Sequence, residues 1–282
     1  MRLAPYVFAG GTAVVTGAAG GIGAALTHGL ARRGSSLVLL DRDVAGLATV
    51  AGAIRAAHPE LAVTTYEVDL ADAAATLRAA DVLATAHPEI TLLVNNAGVA
   101  LAGRFDQVTL EEFDLLLEVN LRAVVRLTHA LLPALKAHPG SHLVTVSSLF
   151  GLVAPAGQAA YATSKFAVRG FTEALRHELA DDGVGVTCVH PGGIRTRIAA
   201  DARVGSGVPA AEGEQGKRDF AKLLTMDPAK AAETILTAVE RRRPRQLVGW
   251  SAVVPDLLVR LAPGSHGRLL AGLTALAGRG RG

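Results

Sequence analysis

The sequence predicts an α/β fold, a doubly wound parallel sheet of about seven strands with helices on both faces. Short β-branched or aliphatic runs alternate with longer stretches of helical periodicity, which is the rhythm of repeated strand–helix–strand units. The strand runs are apolar throughout rather than at every second position, as a parallel sheet covered on both faces requires. A string of glycines at 16–23 sits between the first strand run and the first helical stretch.

Taken in order, strands are expected at 13–16, 36–40, 62–68, 92–95, 142–147, 185–190 and 246–249. Helical stretches fall near 21–33, 44–57, 72–86, 110–137, 160–181 and 228–241. No composition shift or short repeat divides the 282 residues, so 1–249 are expected to form one domain, with 250–282 an extension of it. Two regions fit the rhythm poorly. Residues 200–215, rich in Gly and Ala, look mobile. From Trp250 onward the chain reads as an apolar tail broken by Pro255 and Pro263, with 279–282 expected to be disordered.

Half of the chain is apolar but only 4% is aromatic, so its core must be filled by aliphatic side chains. The net charge of +3 and the pI near 9.3 reflect an excess of Arg and do not by themselves argue for nucleic acid. Arg241, Arg242, Arg243 and Arg245 read as a solvated helix end. The single cysteine, Cys188, excludes a disulfide within the chain and lies in an apolar run, as a buried thiol would. The residues before Gly10 carry one Arg and only a few apolar residues, too short a run for a secretory segment, which makes the cytoplasm the default location. Residues 137–164 carry no Lys, Arg, Asp or Glu. Pro139, Pro155, several glycines, Ser147, Ser148 and Gln158 nevertheless rule out an unbroken membrane-spanning helix there. No metal site is expected.

The glycine string runs Thr16, Gly17, Ala18, Ala19, Gly20, Gly21, Ile22, Gly23. Glycines at that place allow a tight turn and close backbone approach to a pyrophosphate, which then rests on helix N-terminal amides. Asp41 closes the second strand 18 residues after Gly23, where a carboxylate can accept hydrogen bonds from adenosine ribose hydroxyls. It would repel a 2′-phosphate and so favours NAD. Arg42, directly after it, is able to neutralise that phosphate, which keeps NADP open. Asp69, ending the third strand, can accept from the adenine amino group or cap the following helix.

Tyr161 and Lys165 stand four residues apart, which on a helix places phenol and ammonium one above the other. A free tyrosine titrates near about 10, too high for efficient proton transfer at neutral pH. A neighbouring Lys and a positively charged nicotinamide both favour the phenolate and are expected to lower that value. Thirteen residues before Tyr161, Ser148 ends the fifth strand, where its hydroxyl can support a substrate oxygen.

With these motifs in place, the sequence resembles the short-chain dehydrogenase/reductase family in its shorter single-domain form, over about residues 11–249. The matching segments are TGAAGGIG at 16–23, VDL from Val68 through Asp69 to Leu70, and NNAG at Asn95, Asn96, Ala97 and Gly98. They continue with Asn120 within EVNL, VSS ending at Ser148, YATSK from Tyr161 to Lys165, and PGGIRT from Pro191 to Thr196.

The resemblance implies a Rossmann-type sheet and an NAD(P)-dependent oxidoreductase acting on CH–OH groups. It implies Tyr161 as general acid or base, Ser148 as holder of the substrate oxygen, and Lys165 on the nicotinamide ribose. Asn120 would hold a water that links Lys165 to solvent. The segment from Asn95 to Gly98 would line the adenosine side of the cleft. Pro191 and Gly192 would border the cofactor, with Ile194 and Thr196 gripping its carboxamide. His190 is expected to pack or line a pocket rather than catalyse. A homodimer or homotetramer through the stretches near 110–137 and 160–181 is also implied.

The loops that would surround a substrate supply Val99, Leu101, Leu149, Phe150, Leu152, Val153 and Ile198, nearly all apolar, with Arg195 and Arg197 nearby. The expected substrate is therefore an apolar secondary alcohol or ketone, lipid-like or steroid-like. The alternatives are an NADP-dependent reductase of carbonyl or acyl-carrier-bound ketones, and a cofactor-sensing protein on the same fold. A nucleic-acid binder rests on pI alone. The tail from Trp250 is expected to lid the pocket, to join an oligomer contact, or, with Arg260 and Arg268 interleaved, to touch a membrane surface.

Overall fold

The computed structural model describes residues 3–265 and residue 267. Its centre is a seven-stranded parallel sheet, ordered β3-β2-β1-β4-β6-β7-β9. The strands are β1 (Thr12–Thr16), β2 (Ser36–Asp41), β3 (Val63–Glu67), β4 (Ile90–Asn95), β6 (His142–Val146), β7 (Gly185–Pro191) and β9 (Arg245–Val248). A separate pair joins β5 (Leu101–Ala102) to β8 (Arg203–Val204). The helices are α1 (Gly21–Ala31), α2 (Val44–Ala57), α3 (Ala73–Ala86), α4 (Leu110–Leu117), α5 (Ala123–Ala137), α6 (Ala159–Glu178), α7 (Ala210–Leu223), α8 (Pro228–Glu240) and α9 (Trp250–Leu261).

The uniformly apolar strand runs now have their reason. Successive side chains point to opposite faces, and both faces are covered. Ala13, Val15, Leu37, Leu39, Leu92 and Val94 pack with α1, α2 and α8. Val14, Val38, Leu40, Leu93 and Leu143 pack with α3, α5 and α6. Chain order reverses between β1 and β4, since β2 and β3 lie to one side of β1 and the later strands to the other. The loops leaving β1 and β4 therefore diverge and open a crevice at the carboxyl ends of the strands.

Three expectations need correction. The long helix near 110–137 is interrupted by a π-helical turn at Glu118–Arg122, which separates α4 from α5. Residues 200–215, expected to be mobile, carry β8 and the start of α7. Ser206 donates its N–H to Glu112 Oε1 at 3.0 Å, and Gly207 donates to the Gln107 carbonyl at 2.9 Å. The glycines there serve close packing; a Cβ at Gly213 would press into Val204. The tail begins with a 12-residue helix, α9, although Pro255 lies inside it. The expectation of disorder at 279–282 lies outside the described residues. Among the described residues no helix is long and apolar enough to cross a membrane.

At the opposite end of the strands from the crevice, a polar network closes the base of β6. His142, fully buried, receives a hydrogen bond at Nδ1 from Arg242 at 2.9 Å. Its Nε2 lies 2.8 Å from Thr187 Oγ1, whose own hydrogen goes to the Arg243 carbonyl. Thr187 must therefore accept, which fixes a neutral Nε2–H imidazole. Burial, reinforced by the Arg242 charge, depresses the His142 pKa to about 3. His190, also buried, is depressed to about 4 mainly by desolvation, against its hydrogen bond to the Ser148 backbone.

In both cases the unfolded chain binds the proton that the folded chain refuses. Stability is complete above about pH 6.5 and is lost as pH falls towards the folded values. Chemical unfolding followed from about pH 7 to pH 5, above most carboxylate titration, should show the urea midpoint falling steadily. His142→Gln should lower stability at pH 7 yet flatten that slope by up to about 1.4 kcal/mol per pH unit. An unchanged slope would remove His142 from the account.

Candidate active site

The crevice floor is the turn between β1 and α1. Gly17 and Gly21 adopt φ of +66° and +56°, which L side chains rarely reach. Gly23 is required for a different reason, because a Cβ there would overlap the Gly17 carbonyl. Ile22, between them, is partly buried against the core. Helix α1 begins after Gly20 with no side-chain cap, so its first amides are left for something anionic in the crevice. An uncapped helix start behind a glycine cradle fits a dinucleotide pyrophosphate.

The segment after β4 braces this turn. Thr16 Oγ1 accepts from the backbone N–H of Asn96 and of Ala97, each at 3.0 Å. The Asn96 amide in turn donates to the Thr16 and Gly17 carbonyls. Asn95 does not reach the crevice. Its amide is buried and donates to Thr128 on α5 at 3.0 Å. Sequence reasoning assigned this whole segment to the adenosine side, whereas the side chains of Asn95 and Asn96 are spent on scaffolding.

Asp41 is held rigidly at the end of β2, accepting from Ala19 N at 2.9 Å and Asp43 N at 3.1 Å. Arg42 beside it is exposed. Asp69 is exposed and accepts from Ala71 N, while Leu70 is buried. The cap of α3 is Asp72, not Asp69, because it is Asp72 that accepts from Ala74 and Ala75. A cleft of about 490 Å³ lies against the glycine turn, lined by Ala19, Gly20, Gly21, Asp43, Arg195, Thr196 and Arg197 among others. Both arginines are exposed and paired across it, Arg195 with Asp227 and Arg197 with Asp43. They face the glycine turn rather than Tyr161. Pro191 ends β7 and Gly192 donates to the Val248 carbonyl. The Ile194 side chain is buried in the core, and Thr196 lies directly against Gly21.

The second half of the site is built on α6. Tyr161 and Lys165 are both buried, and Lys165 Nζ lies 5.8 Å from the centre of the Tyr161 ring. Lys165 donates to the Val146 carbonyl at 3.1 Å. Ser147 Oγ donates to the Lys165 carbonyl, and Ser164 Oγ to that of Tyr161. These two serines lock the start of α6 against the end of β6, where Ser148 stands. Both serines lie within the quoted motifs, but neither was given a role from sequence.

Burial raises the Tyr161 pKa above its ordinary value, with hydrogen bonding to Ser148 acting the other way. This reverses the lowering expected from Lys165. Lys165 is itself brought down to about 8, because desolvation outweighs the nearby Cys188. In the free chain, burial therefore keeps the phenol protonated. Cys188 is buried and its thiol is pushed up to about 12, principally by burial, as an inert core residue.

Asn120 sits in the π turn. Its Oδ1 accepts from Val99 N at 2.8 Å, and its Nδ2 donates to the Val99 carbonyl at 2.9 Å and to Ser164 Oγ at 3.0 Å. Both amide hydrogens are thus committed. The side chain acts as a tie between segments. Around Tyr161 lies an apolar cluster. Ala100, Leu101, Leu116, Ala160 and Ala202 are buried there, with Val99, Phe113, Phe150 and Ile198 packed on them. Phe150 meets the Tyr161 ring edge-to-face at 5.8 Å. Leu101, Val99, Phe150 and Ile198 were expected; Phe113, Leu116 and Ala202 were not, since α4 and the 200–215 segment carry no chemical motif.

Residues 11–206 match the family model described as short chain dehydrogenase. The chain belongs to that family. Within it, SadH of Mycobacterium tuberculosis is 40% identical over 268 residues, covering 94% of this chain and 95% of that protein. A Drosophila melanogaster relative, dehydrogenase/reductase SDR family protein 7-like, is 31% identical over 255 residues, covering 90% and 75%. Among solved structures, a short chain dehydrogenase/reductase from Burkholderia phymatum in complex with NAD superposes with a TM-score of 0.82 at 27% identity, covering 90% and 94% of the two chains. A short-chain dehydrogenase from Sphingobium yanoikuyae in complex with NADPH gives 0.74 at 28% identity, covering 94% and 95%.

The brace on the glycine turn of this short-chain dehydrogenase can be tested. Thr16→Val keeps the side-chain shape but leaves two N–H groups without their acceptor. It should cost about 2 kcal/mol of unfolding free energy and weaken NADH binding measured by calorimetry. Unaltered stability would show that the hydroxyl is not the brace.

Proposed function

We propose that this chain is an NAD(P)-dependent oxidoreductase that interconverts an apolar secondary alcohol and its ketone. The observation that carries the reading is the buried Tyr161–Lys165 pair on α6, one turn apart beside Ser148 and enclosed by apolar side chains. When bound, the nicotinamide supplies or accepts the hydride. The protein supplies position, proton and field.

Tyr161 is the acid–base residue. In reduction its phenol donates a proton to the carbonyl oxygen, and in oxidation its phenolate takes the hydroxyl proton. Ser148, already held by the Phe150 N–H at 3.1 Å, presents its hydroxyl to the same oxygen. Lys165 binds the nicotinamide ribose and, together with the positive charge of the oxidised ring, offsets the effect of burial on Tyr161. Asn120 fixes the π turn whose backbone leads a water towards Lys165. Gly17, Gly21, Ile22 and Gly23 hold the pyrophosphate on the turn that Thr16 braces. Asp41, Asp69 and Leu70 face the adenosine half. Asn96, Ala97 and Gly98 border the ribose, and Pro191, Gly192, Ile194 and Thr196 border the carboxamide.

The anchored Asp41 favours NAD. The exposed Arg42 supports a second reading, an NADP-dependent reductase of carbonyl or acyl-carrier-bound ketones. The apolar lining around Tyr161, with Arg195 and Arg197 turned to the other half of the crevice, supports an apolar substrate. Exposed Val125 on α5 and Phe166 on α6 support a homo-oligomer through those helices. The cytoplasm remains the proposed location.

Tyr161→Phe removes the proton and keeps the ring. Turnover of apolar ketones should fall by about 10²–10⁴-fold with NADH affinity unchanged; near wild-type turnover would refute the assignment. Replacement of Asp41 by Ser should raise NADPH affinity relative to NADH in paired titrations. An unshifted ratio would show that Asp41 does not select the cofactor.

A further inference from the structure

Helix α9 is amphipathic in reverse. Its one acidic residue, Asp256, is turned inward and buried, where it pairs with Arg245 at the start of β9 and also meets Arg260. Its exposed apolar residues, with Ser251 and Arg260 exposed beside them, are Trp250, Val254, Leu257 and Leu261, at 78%, 48%, 55% and 74% exposure. Their spacing of four, three and four residues makes one continuous stripe along the helix. A stripe of this kind, headed by the chain's only tryptophan, marks a surface that is covered in use.

Charge identifies the cover. Among the described residues, Arg241 and Arg243 just before β9 and Arg260 on α9 are exposed, while Arg242 is spent on the Ala4, Gly140 and Ser141 carbonyls and Arg245 on Asp256. Since α9 follows β9 and brings Asp256 back to Arg245, it runs antiparallel to that strand. Its Arg260 end thus lies towards exposed Arg241 and Arg243. These exposed arginines beside the stripe favour an anionic surface as its cover over a second copy bearing the same charges.

We propose that α9 docks this enzyme on an anionic lipid surface, with Trp250, Val254, Leu257 and Leu261 entering the interface and the arginines meeting lipid phosphates. The location also bears on function. Ser251 accepts from Gly193 N at 2.9 Å, and α9 packs against the turn at Leu149–Gly151, which borders Ser148. Docking therefore places the apolar surroundings of Tyr161 close to a hydrocarbon phase that can deliver apolar ketones. Only this last consequence rests on the substrate reading above.

Trp250 is a built-in reporter. The full chain is titrated with phosphatidylcholine vesicles and with vesicles of phosphatidylcholine and phosphatidylglycerol, following tryptophan emission and co-sedimentation without any substrate. Emission should start at the long wavelength of an exposed indole and shift to shorter wavelength with anionic vesicles only. On the order of tenfold more protein should sediment with them than with phosphatidylcholine. Replacing Leu257 and Leu261 by Ser should cut vesicle binding by about tenfold with an unchanged melting temperature. Three results overturn the proposal: no shift with anionic vesicles, equal binding to both compositions, or short-wavelength emission before lipid is added. The last would mean that a second copy or the chain's own residues 268–282 cover the stripe. A panel of ketones in lipid-free solution tests the substrate reading separately, so either can fail alone.

Discussion

The site depends on the tie made by one amide. Asn120 bonds both the N–H and the carbonyl of Val99, and with its remaining hydrogen holds Ser164. Those partners lie on the loop after β4 and on α6. A regular α-helical turn closes with shorter hydrogen-bonded rings than the π turn at Glu118–Arg122, and the wider turn is where Asn120 makes this reach. From that tie the rest follows in sequence. Ser164 holds the Tyr161 carbonyl, Ser147 holds that of Lys165, and Lys165 reaches the Val146 carbonyl at the end of β6. Tyr161 and Ser148 are brought to one place because three chain segments are fastened to one another, not because any is rigid alone.

The electrostatics of the pair belong to the same packing. Enclosing a phenol and an ammonium costs free energy for each charged form, which is why Tyr161 is raised and Lys165 lowered. In the free chain the enclosure opposes ionisation at both residues. Reactivity then depends on charge brought into the crevice, and the protein's part is to keep water from screening it.

Much of this was legible in the sequence, for identifiable reasons. The five inner strands announced themselves because burial on both faces leaves no polar alternation to confuse the pattern, whereas the edge strands β3 and β9 are only partly buried and carry Thr, Glu, Arg and Gln. Gly17, Gly21 and Gly23 were legible because close backbone approach tolerates no other residue. Tyr161, Lys165 and Ser148 stood out through chemistry at helical and strand-end spacing. What stayed hidden was relational. A π turn adds no residue type of its own, so 110–137 read as one helix. The anchors of residues 200–215 are Glu112 and Gln107, about a hundred positions away. The direction of the Tyr161 shift needed the depth of burial, which four-residue spacing does not contain. Asp69 was read as a possible helix cap, and the start of the helix at Ala73 hands that role to Asp72.

The uncapped start of α1 carries a consequence for the lifetime of the protein. A folded chain with unmet amides at its crevice gains stability from whatever anion fills it, by an amount that grows with the logarithm of ligand concentration over its dissociation constant. At a hundred times that constant the gain is about 2.7 kcal/mol, comparable with the loss of a well-packed core side chain. The folded fraction of such a protein is thereby coupled to the dinucleotide pool. A shortage of nucleotide would thin the population of intact molecules through unfolding and proteolysis as well as slow each one that survives.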